Sequence, residues 1–380
     1  MEKHHGKLGK MNFENLFHGI FKNKTVFVTG HTGFQGSWLV LWLKLLGAKV
    51  IGYSIGIPTQ PSMFETLELD NDIVHIIGDV RDIEKLKTSI NENNPQIVFH
   101  LAAQSLVRMS YKMPVDTFHT NIMGTVNLLE SIRHVGGVDV CVIMTSDKCY
   151  ETPKDNHACK EDDKMGGFDP YSSSKGAAEL VTTSYRRAFF NNENTKNTNI
   201  STTRAGNVIG GGDWAKDRIV PDSIRALVEN KKISVRNPQS IRPWQHVLEP
   251  LSGILCLASE MYIEPGKYSE AWNFGPDLFS DITVKELVDQ IIDEWGRGSI
   301  EYSNPMQSVY ESKSLRLDST KASNLLDWHT VYSTKETISE TISWYRTFAY
   351  DKDNIKEITK SQMENYIKKA KESNLSWAKF

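Results

Sequence analysis

A strand, a glycine-rich turn and an apolar helix, in that order between Lys24 and Gly47, restrict this chain to few folds. Lys24–Thr29 (Lys-Thr-Val-Phe-Val-Thr) is a short β-branched run of the kind buried in a parallel sheet. It enters Gly30-His-Thr-Gly33-Phe-Gln-Gly36, and Ser37-Trp-Leu-Val-Leu-Trp-Leu-Lys-Leu-Leu then reads as a helix ending at Gly47. Gly30 permits the tight turn, Gly33 lets backbone approach a pyrophosphate, and Gly36 lets the helix pack closely on the strand. Unpaired N–H groups at the helix start suit phosphates. Gly30, Gly33, Phe34, Gln35 and Gly36 are thus the expected dinucleotide cradle.

The usual companion is an acid at the end of the second strand, which grips a ribose hydroxyl. Ala48–Ser54 ends in Tyr53 and Ser54 and carries none, and no arginine lies close by for a 2′-phosphate. This strand leaves NAD and NADP undecided. Later runs continue the pattern. Ile73–Val80 ends in Gly78-Asp79-Val80, where Asp79 can accept from an adenine amine and Val80 can pack on the ring. Ile97–Leu101 opens into Ala102, Ala103 and Gln104, small or polar residues that let the chain pass a cofactor. Val140–Met144 delivers Thr145-Ser146-Asp147-Lys148, Ile200–Thr203 leads to Arg204-Ala-Gly-Asn207, and Ala271–Gly275 reads as a final strand. Helices are expected near Glu84–Asn93, Thr125–His134 and Tyr171–Asn191.

That alternation predicts an α/β fold, a doubly wound parallel Rossmann sheet with ligands at the carboxyl ends of its strands. A smaller, partly interleaved C-terminal substrate domain is expected beside it. The expected division is an N-terminal extension over 1–22, a dinucleotide-binding domain over 23–209 and 248–275, and the substrate domain over 210–247 and 276–380.

Composition narrows the class further. The 380 residues suit roughly two domains, 39% hydrophobic content suffices for a core, and no apolar run is long enough to span a bilayer. A net charge of -3 gives no reason to expect nucleic acid or membrane as a partner. The basic start, Met1–Lys10, has no apolar stretch behind it, so it reads as a loose extension rather than a secretory signal. Asn191–Asn199 reads as a polar surface loop. Cys141, Cys149, Cys159 and Cys256 lack paired spacing. Cys149, His157 and Cys159 invite a metal reading, but reduced thiols of a cytoplasmic protein, with no metal, are the expectation.

The chemistry centres on Tyr171 and Lys175, four apart and so on one helix face. A phenol is a poor base near neutral pH, with a pKa of about 10. A neighbouring ammonium and a positive nicotinamide ring favour phenolate, so Tyr171 is expected to have its pKa lowered and to take a hydroxyl proton as hydride leaves. Asp169-Pro170 supplies the helix start. Ser146 can bond the same hydroxyl. Asp147 and Lys148 are either a strand-end ion pair or an acid and a base for elimination, the latter requiring a neutral lysine.

These segments resemble the extended short-chain dehydrogenase/reductases, and within them the branch of CDP-glucose 4,6-dehydratases. The matching stretches are 29–39, 145–150, 167–176, 203–214, 241–250 and 272–276, running in order from about Asn12 to the chain end. Asp147-Lys148-Cys149-Tyr150 and Arg242-Pro-Trp-Gln-His246 are specific to that branch; sister dehydratases carry Asp-Glu where this chain has Asp147-Lys148. One departure is Gln35, where the branch leads us to expect lysine; it bears on cofactor affinity more than on chemistry.

The resemblance implies that NAD accepts hydride from C4 of a nucleotide sugar, CDP-glucose or a relative. Tyr171, Ser146 and Lys175 would serve that oxidation, Lys148 would remove the C5 proton, and Asp147 would protonate the departing 6-hydroxyl. Hydride return to C6 would give a 4-keto-6-deoxy sugar, a deoxysugar precursor of the kind used in lipopolysaccharide O-antigen. An epimerase or 4-reductase on the same fold is the alternative, needing Tyr171 and Lys175 but no elimination pair. The resemblance also points to Asn207 near the diphosphate and to Arg204, Arg242 and His246 around the substrate. Trp214 and Trp244 either stack on a base or pack, and Trp38 and Trp42 are core. Asn121 either binds a buried water beside the cofactor or caps Met123–His134, and His31 lies against cofactor or serves the turn. The helices Thr125–His134 and Tyr171–Asn191 lie in the order the superfamily uses for a homodimer through a four-helix bundle.

Overall fold

The computed structural model describes residues 11–153, 157–190, 198–277, 281–302 and 315–379. Seven strands form one sheet: β1 (Thr25–Thr29), β2 (Lys49–Ser54), β3 (Val74–Ile77), β4 (Ile97–His100), β5 (Val140–Met144), β6 (Asn199–Arg204) and β7 (Ala271–Asn273). Their order is β7-β6-β5-β4-β1-β2-β3, and every pairing is parallel. The sequence order reverses between β1 and β4, the switch point where ligands sit in open α/β sheets.

Alternation along the strands divides the core. Val26, Val28, Phe99 and Val142 join one buried cluster, while Phe27, Val98, Cys141 and Ile143 join the other. Helix α1 (Phe34–Leu45) lies on the first face with Trp38 and Trp42 fully buried, as the sequence requires. Helix α2 (Ile83–Asn93) and helix α3 (Gly124–Val135) cover the second through Leu86, Ile90, Leu128 and Leu129. Helix α4 (Pro170–Phe189) packs beside α3 and against β6, and carries Tyr171 and Lys175.

Three small two-stranded sheets stand beside the large one. Val208–Ile209 pairs with Gln245–His246, Ile241–Arg242 with Ile282–Thr283, and Ile233–Val235 with Ile300–Tyr302. The first apolar cluster runs unbroken from the sheet into helices α5 (Leu248–Ile263), α6 (Val284–Trp295), α7 (Thr334–Tyr350) and α8 (Ile355–Glu372). Both lobes therefore share one core. Among the described residues, no helix is long and apolar enough to cross a membrane.

Two expectations change in extent. Phe13, Leu16, Phe17 and Phe21, inside the expected N-terminal extension, are buried, and Phe17 stacks on Trp377 at 4.9 Å. Aromatic burial thus recruits most of 12–22 into the core. The helix expected from Thr125 starts earlier: Pro114–Phe118 runs through a wide turn, His119–Met123, straight into α3. Residues 1–10 and 191–197 lie outside the described residues.

Candidate active site

The turn after β1 is built for close approach. Gly30 adopts φ +73°, and a Cβ there would lie 2.7 Å from the Ala102 nitrogen. A Cβ on Gly36 would lie 2.2 Å from the Gly30 carbonyl oxygen. Gly33 is the N-cap of α1 and offers no side-chain cap, so the first N–H groups of the helix face outward for an anion. The buried Gln35 Oε1 has no hydrogen-bond partner among the described residues. These features fit a dinucleotide diphosphate. His31 does not reach toward it. Its ring is fully buried beneath the turn, edge-on to Phe64 and 2.6 Å from His75 Nδ1, and burial, then His75, push its pKa down to about 4.

At the far end of the turn, Asp79 accepts from the Arg81 backbone N–H (2.9 Å), Nε (2.9 Å) and Nη2 (2.6 Å). Burial opposes its charge, but those bonds prevail and hold its carboxyl below the usual range. Arg81 also reaches Asp116 at 3.1 Å. Val80 is buried beside Gly124. Leu101, Ala102 and Ala103 follow β4 past the turn, and Leu101 N donates to Thr29 O at 3.1 Å.

Asn121 departs from the capping reading offered for it. It lies inside a continuous helical run, so it caps nothing. Its Oδ1 accepts from Gln104 N (2.8 Å), and its Nδ2 donates to Gln104 O (3.0 Å) and Ser174 Oγ (2.8 Å). Both amide protons are committed. Asn121 staples the loop after β4 to α4.

Chemistry gathers at the end of β5. Thr145 N donates to Thr203 O (2.8 Å), which fixes the chain as it leaves the strand. Ser146 Oγ donates to Asp147 Oδ1 at 2.8 Å and accepts from Lys148 N at 3.2 Å. Asp147 is buried, and that burial raises its pKa against the pull of Lys148, Ser146 and Arg242. Burial of this kind suits a carboxyl to the role of general acid. Gly206 makes room for it: a Cβ there would fall 2.2 Å from the Asp147 carboxyl.

Helix α4 begins where Asp169 accepts from Ser172 N (3.0 Å) and Oγ (2.6 Å), with Pro170 in the first turn. This cap sets Tyr171 against Ser146, to which it is hydrogen-bonded. The pKa of Tyr171 was expected to fall under Lys175; instead burial pushes it up to about 12, with Asp147 and Asp169 adding and Arg218 opposing. Lys175 Nζ donates to Met144 O at 3.1 Å, and burial, partly offset by Glu179, brings it down to about 8.

Three residues assigned to the substrate are corrected. Arg204 is 4% exposed in its side chain and paired bidentately with Glu179 through Nε (3.0 Å) and Nη2 (2.9 Å). Its Nη1 donates to Tyr150 Oη and to Glu161 O. Every fork of the guanidinium is spent inside the protein. His246 is fully buried between Trp38 and Tyr332, and burial drives it down to about 3. Trp214 packs on Tyr345 and Phe348 in the apolar core, and Trp244 is buried in the same cluster. Arg242 and Asn207 stay at the site: Arg242 is half-buried and acts electrostatically on Asp147, and Asn207 holds φ +52° while its carbonyl accepts from Gln245 N.

Sequence reading missed Arg218 and Glu179. Arg218 bonds Asp213 at 2.8 Å and opposes the rise at Tyr171; no spacing marks it. Glu179 had a signal, since it falls four residues after Lys175 and eight after Tyr171, on the same helix face.

Sheet, glycine turn and the Ser146–Tyr171–Lys175 cluster define an extended short-chain dehydrogenase/reductase of the type that modifies nucleotide sugars. Residues 27–341 match the model of the GDP-mannose 4,6 dehydratase family, and the chain belongs to that family. It is 47% identical over 336 residues to a CDP-glucose 4,6-dehydratase of Salmonella typhimurium, covering 88% of this chain and 94% of that protein. A human dTDP-D-glucose 4,6-dehydratase is 25% identical over 352 residues, 88% of this chain and 93% of the relative. Among solved structures, a dTDP-glucose 4,6-dehydratase of Streptomyces venezuelae with NAD bound aligns with a TM-score of 0.73 at 23% identity, over 85% of this chain and 97% of the other. An epimerase of Methanothermobacter thermautotrophicus aligns with a TM-score of 0.74 at 24% identity, over 92% and 98%. These two likenesses speak for the fold.

Proposed function

We propose that this protein is an NAD-dependent CDP-glucose 4,6-dehydratase. The observation that carries the reading is the buried Asp147 with its raised pKa, next to Lys148 and joined through Ser146 to Tyr171. An epimerase or 4-reductase needs the tyrosine and lysine of α4, but has no use for a buried carboxyl group beside a second lysine. The 47% identity to a CDP-glucose enzyme supports cytidine as the base.

The N–H groups at the start of α1, with Gly30, Gly33 and Gly36 below them, would hold the NAD diphosphate, and Asp79 and Val80 would meet its adenine end. When bound, NAD supplies a hydride acceptor for C4 and later the same hydride for C6. Tyr171 would receive the 4-hydroxyl proton as phenolate, the form favoured by Lys175, charged below about pH 8, and by the positive nicotinamide ring of bound NAD. Ser146 orients that hydroxyl. Oxidation at C4 acidifies C5, where Lys148 takes the proton. Asp147, whose hold on its proton burial strengthens, would give that proton to the 6-hydroxyl, which leaves as water. Arg242 and Asn207 face the nucleotide end, where a planar guanidinium suits a diphosphate.

The same reading includes a homodimer. Leu180 and Phe189 are exposed on α4, Met123 is exposed in the turn that enters α3, and Val115 is 77% exposed in the helix before that turn. Exposed apolar residues on α4 and on the helical run leading into α3 suit a four-helix contact. Four buried cysteines, none in a disulfide among the described residues, suit a reducing compartment such as the cytoplasm.

The test is incubation with CDP-glucose and NAD in deuterated water, followed by NMR. A 4-keto-6-deoxy product carrying solvent deuterium at C5 is expected. Unchanged sugar, with other nucleotide-glucoses equally inert, would sink the dehydratase and turn attention to C4 epimerisation or reduction.

A further inference from the structure

Outside the active site, one loop brings three different metal-ligating side chains together. His157, Cys159 and Asp163 each offer a ligand atom, and these atoms lie within 4.8 Å of one another. The spacing His-x-Cys-x3-Asp closes through a turn in which Asp163 N donates to Lys160 O (3.1 Å) and Lys160 N donates back to Asp163 Oδ2 (2.8 Å). Cys149, named with this loop on sequence grounds, is not among the three; Asp163 is.

The geometry points to a binding site for a borderline-soft divalent cation of the zinc class, held by imidazole, thiolate and carboxylate. Bond lengths of about 2.0–2.3 Å to tetrahedral zinc place ligand atoms about 3.3–3.7 Å apart. His157 Nε2 and Asp163 Oδ2 are now 2.8 Å apart as a hydrogen-bonded pair, so they need only open slightly. The thiol side is rigid. Cys159 is fully buried, its N–H donates to Arg316 O (2.9 Å), and its carbonyl accepts from Asp318 N (2.8 Å). His157 and Asp163 are the surface arms, with side chains 46% and 33% exposed. A fixed sulfur with two movable arms can close on an ion by side-chain motion alone. The Lys160 N–H bond to Asp163 is the outer support that steadies a ligating carboxylate. Three protein ligands and this donor set select zinc or cobalt over calcium or magnesium, which prefer oxygen.

The site is separate from the elimination pair yet tied to it. The Cys159 carbonyl accepts from Asn273 Nδ2 (2.8 Å), and Asn273 Oδ1 accepts from Tyr150 Oη (2.8 Å), two residues past Lys148. An ion here would brace the wall behind Lys148 and stabilise the fold in proportion to ion concentration. No step of the dehydratase reading depends on it.

Cobalt(II) is the probe, added to chelator-treated, reduced full-length protein. A sulfur-to-cobalt charge-transfer band with visible bands of four-coordinate cobalt, saturating at one equivalent and displaced by zinc, is the expected result. His4 and His5 at the chain start can also hold cobalt, but they contribute no sulfur and so cannot give that band. C159S should abolish it. H157A and D163A, both outside the hydrophobic core, should each weaken cobalt binding at least about tenfold and cancel the zinc-dependent rise in thermal midpoint, with the metal-free circular dichroism spectrum unchanged. No charge-transfer band in the parent, a band that survives C159S, or binding indifferent to both H157A and D163A would overturn the site.

Discussion

At Lys148 the two enzyme readings separate most sharply. Lys148→Ala removes the base for C5 and leaves Tyr171, Ser146 and Lys175 in place. Turnover to the 4-keto-6-deoxy sugar should fall by roughly a thousandfold, within the usual worth of a general base. Oxidation at C4 should persist as a transient nicotinamide absorbance in a single turnover. Retention of most activity would favour epimerase chemistry. Gly206→Ala tests the acid from behind. Its Cβ would land 2.2 Å from the Asp147 carboxyl, so the acid must shift, and misplacement on that scale costs on the order of a hundredfold. Exchange of the C5 proton into solvent should survive while release of water slows; equal loss of both would mean that the alanine damages the whole site. The residue types at the strand end were legible because Ser146-Asp147-Lys148 follows a buried run directly. The orientation of Arg204 and His246 was not. Adjacency in sequence places a residue near a site without saying which way it points, and only the buried Glu179 carboxylate turns Arg204 inward.

At the scale of elements, buried β-branched runs announced the strands, and Asp169-Pro170 announced α4. The helix ending at α3 was read too short because its true start, Pro114, follows Met113, which supplies no side-chain cap, and its middle widens at Asn121. Burial of Phe17 went unseen for another reason: its stacking partner, Trp377, lies at the far end of the chain, beyond any local pattern. The exposed faces of α3 and α4 make the element-scale prediction. Leu180 is 63% exposed, and a neighbouring surface cavity is lined by Leu180, Thr183, Ser184, Arg187 and Ala188. Leu180→Arg places a charge in that contact on each protomer, and like charges brought together across a two-fold axis cost several kcal/mol. Sedimentation at micromolar concentration should give a dimer for the parent and a monomer for the variant, with secondary structure unchanged. A parent that sediments only as monomer would remove the four-helix association outright.

The molecule as a whole is held together where α5, the 331–332 turn and α8 meet at one buried carboxylate. Glu249 is 1% exposed and accepts from Val331 N (3.0 Å), Tyr332 N (2.8 Å) and Tyr366 Oη (2.7 Å). Burial outweighs those three donors and raises its pKa to about 7. The sign follows from proton counting. Above about pH 4.5 the unfolded chain has released this proton, while the native protein keeps it until about pH 7, so the native state binds more protons across that window. Stability from this group is therefore fully present below about pH 4.5 and is lost as pH rises toward 7, by roughly 3 kcal/mol at most. Glu249→Gln keeps an oxygen for both backbone N–H groups and can donate to Tyr366, but it cannot ionise. Chemical denaturation of parent and variant at about pH 5 and about pH 8 isolates the effect, because every other titrating group cancels in the difference. The variant should gain about 1–3 kcal/mol relative to the parent between the two pH values. Parallel stability curves would mean that Glu249 is already ionised in the acid range and that the three donors outweigh burial. In that case the junction between the sheet and the C-terminal helices would rest on a charged carboxylate instead of a neutral one.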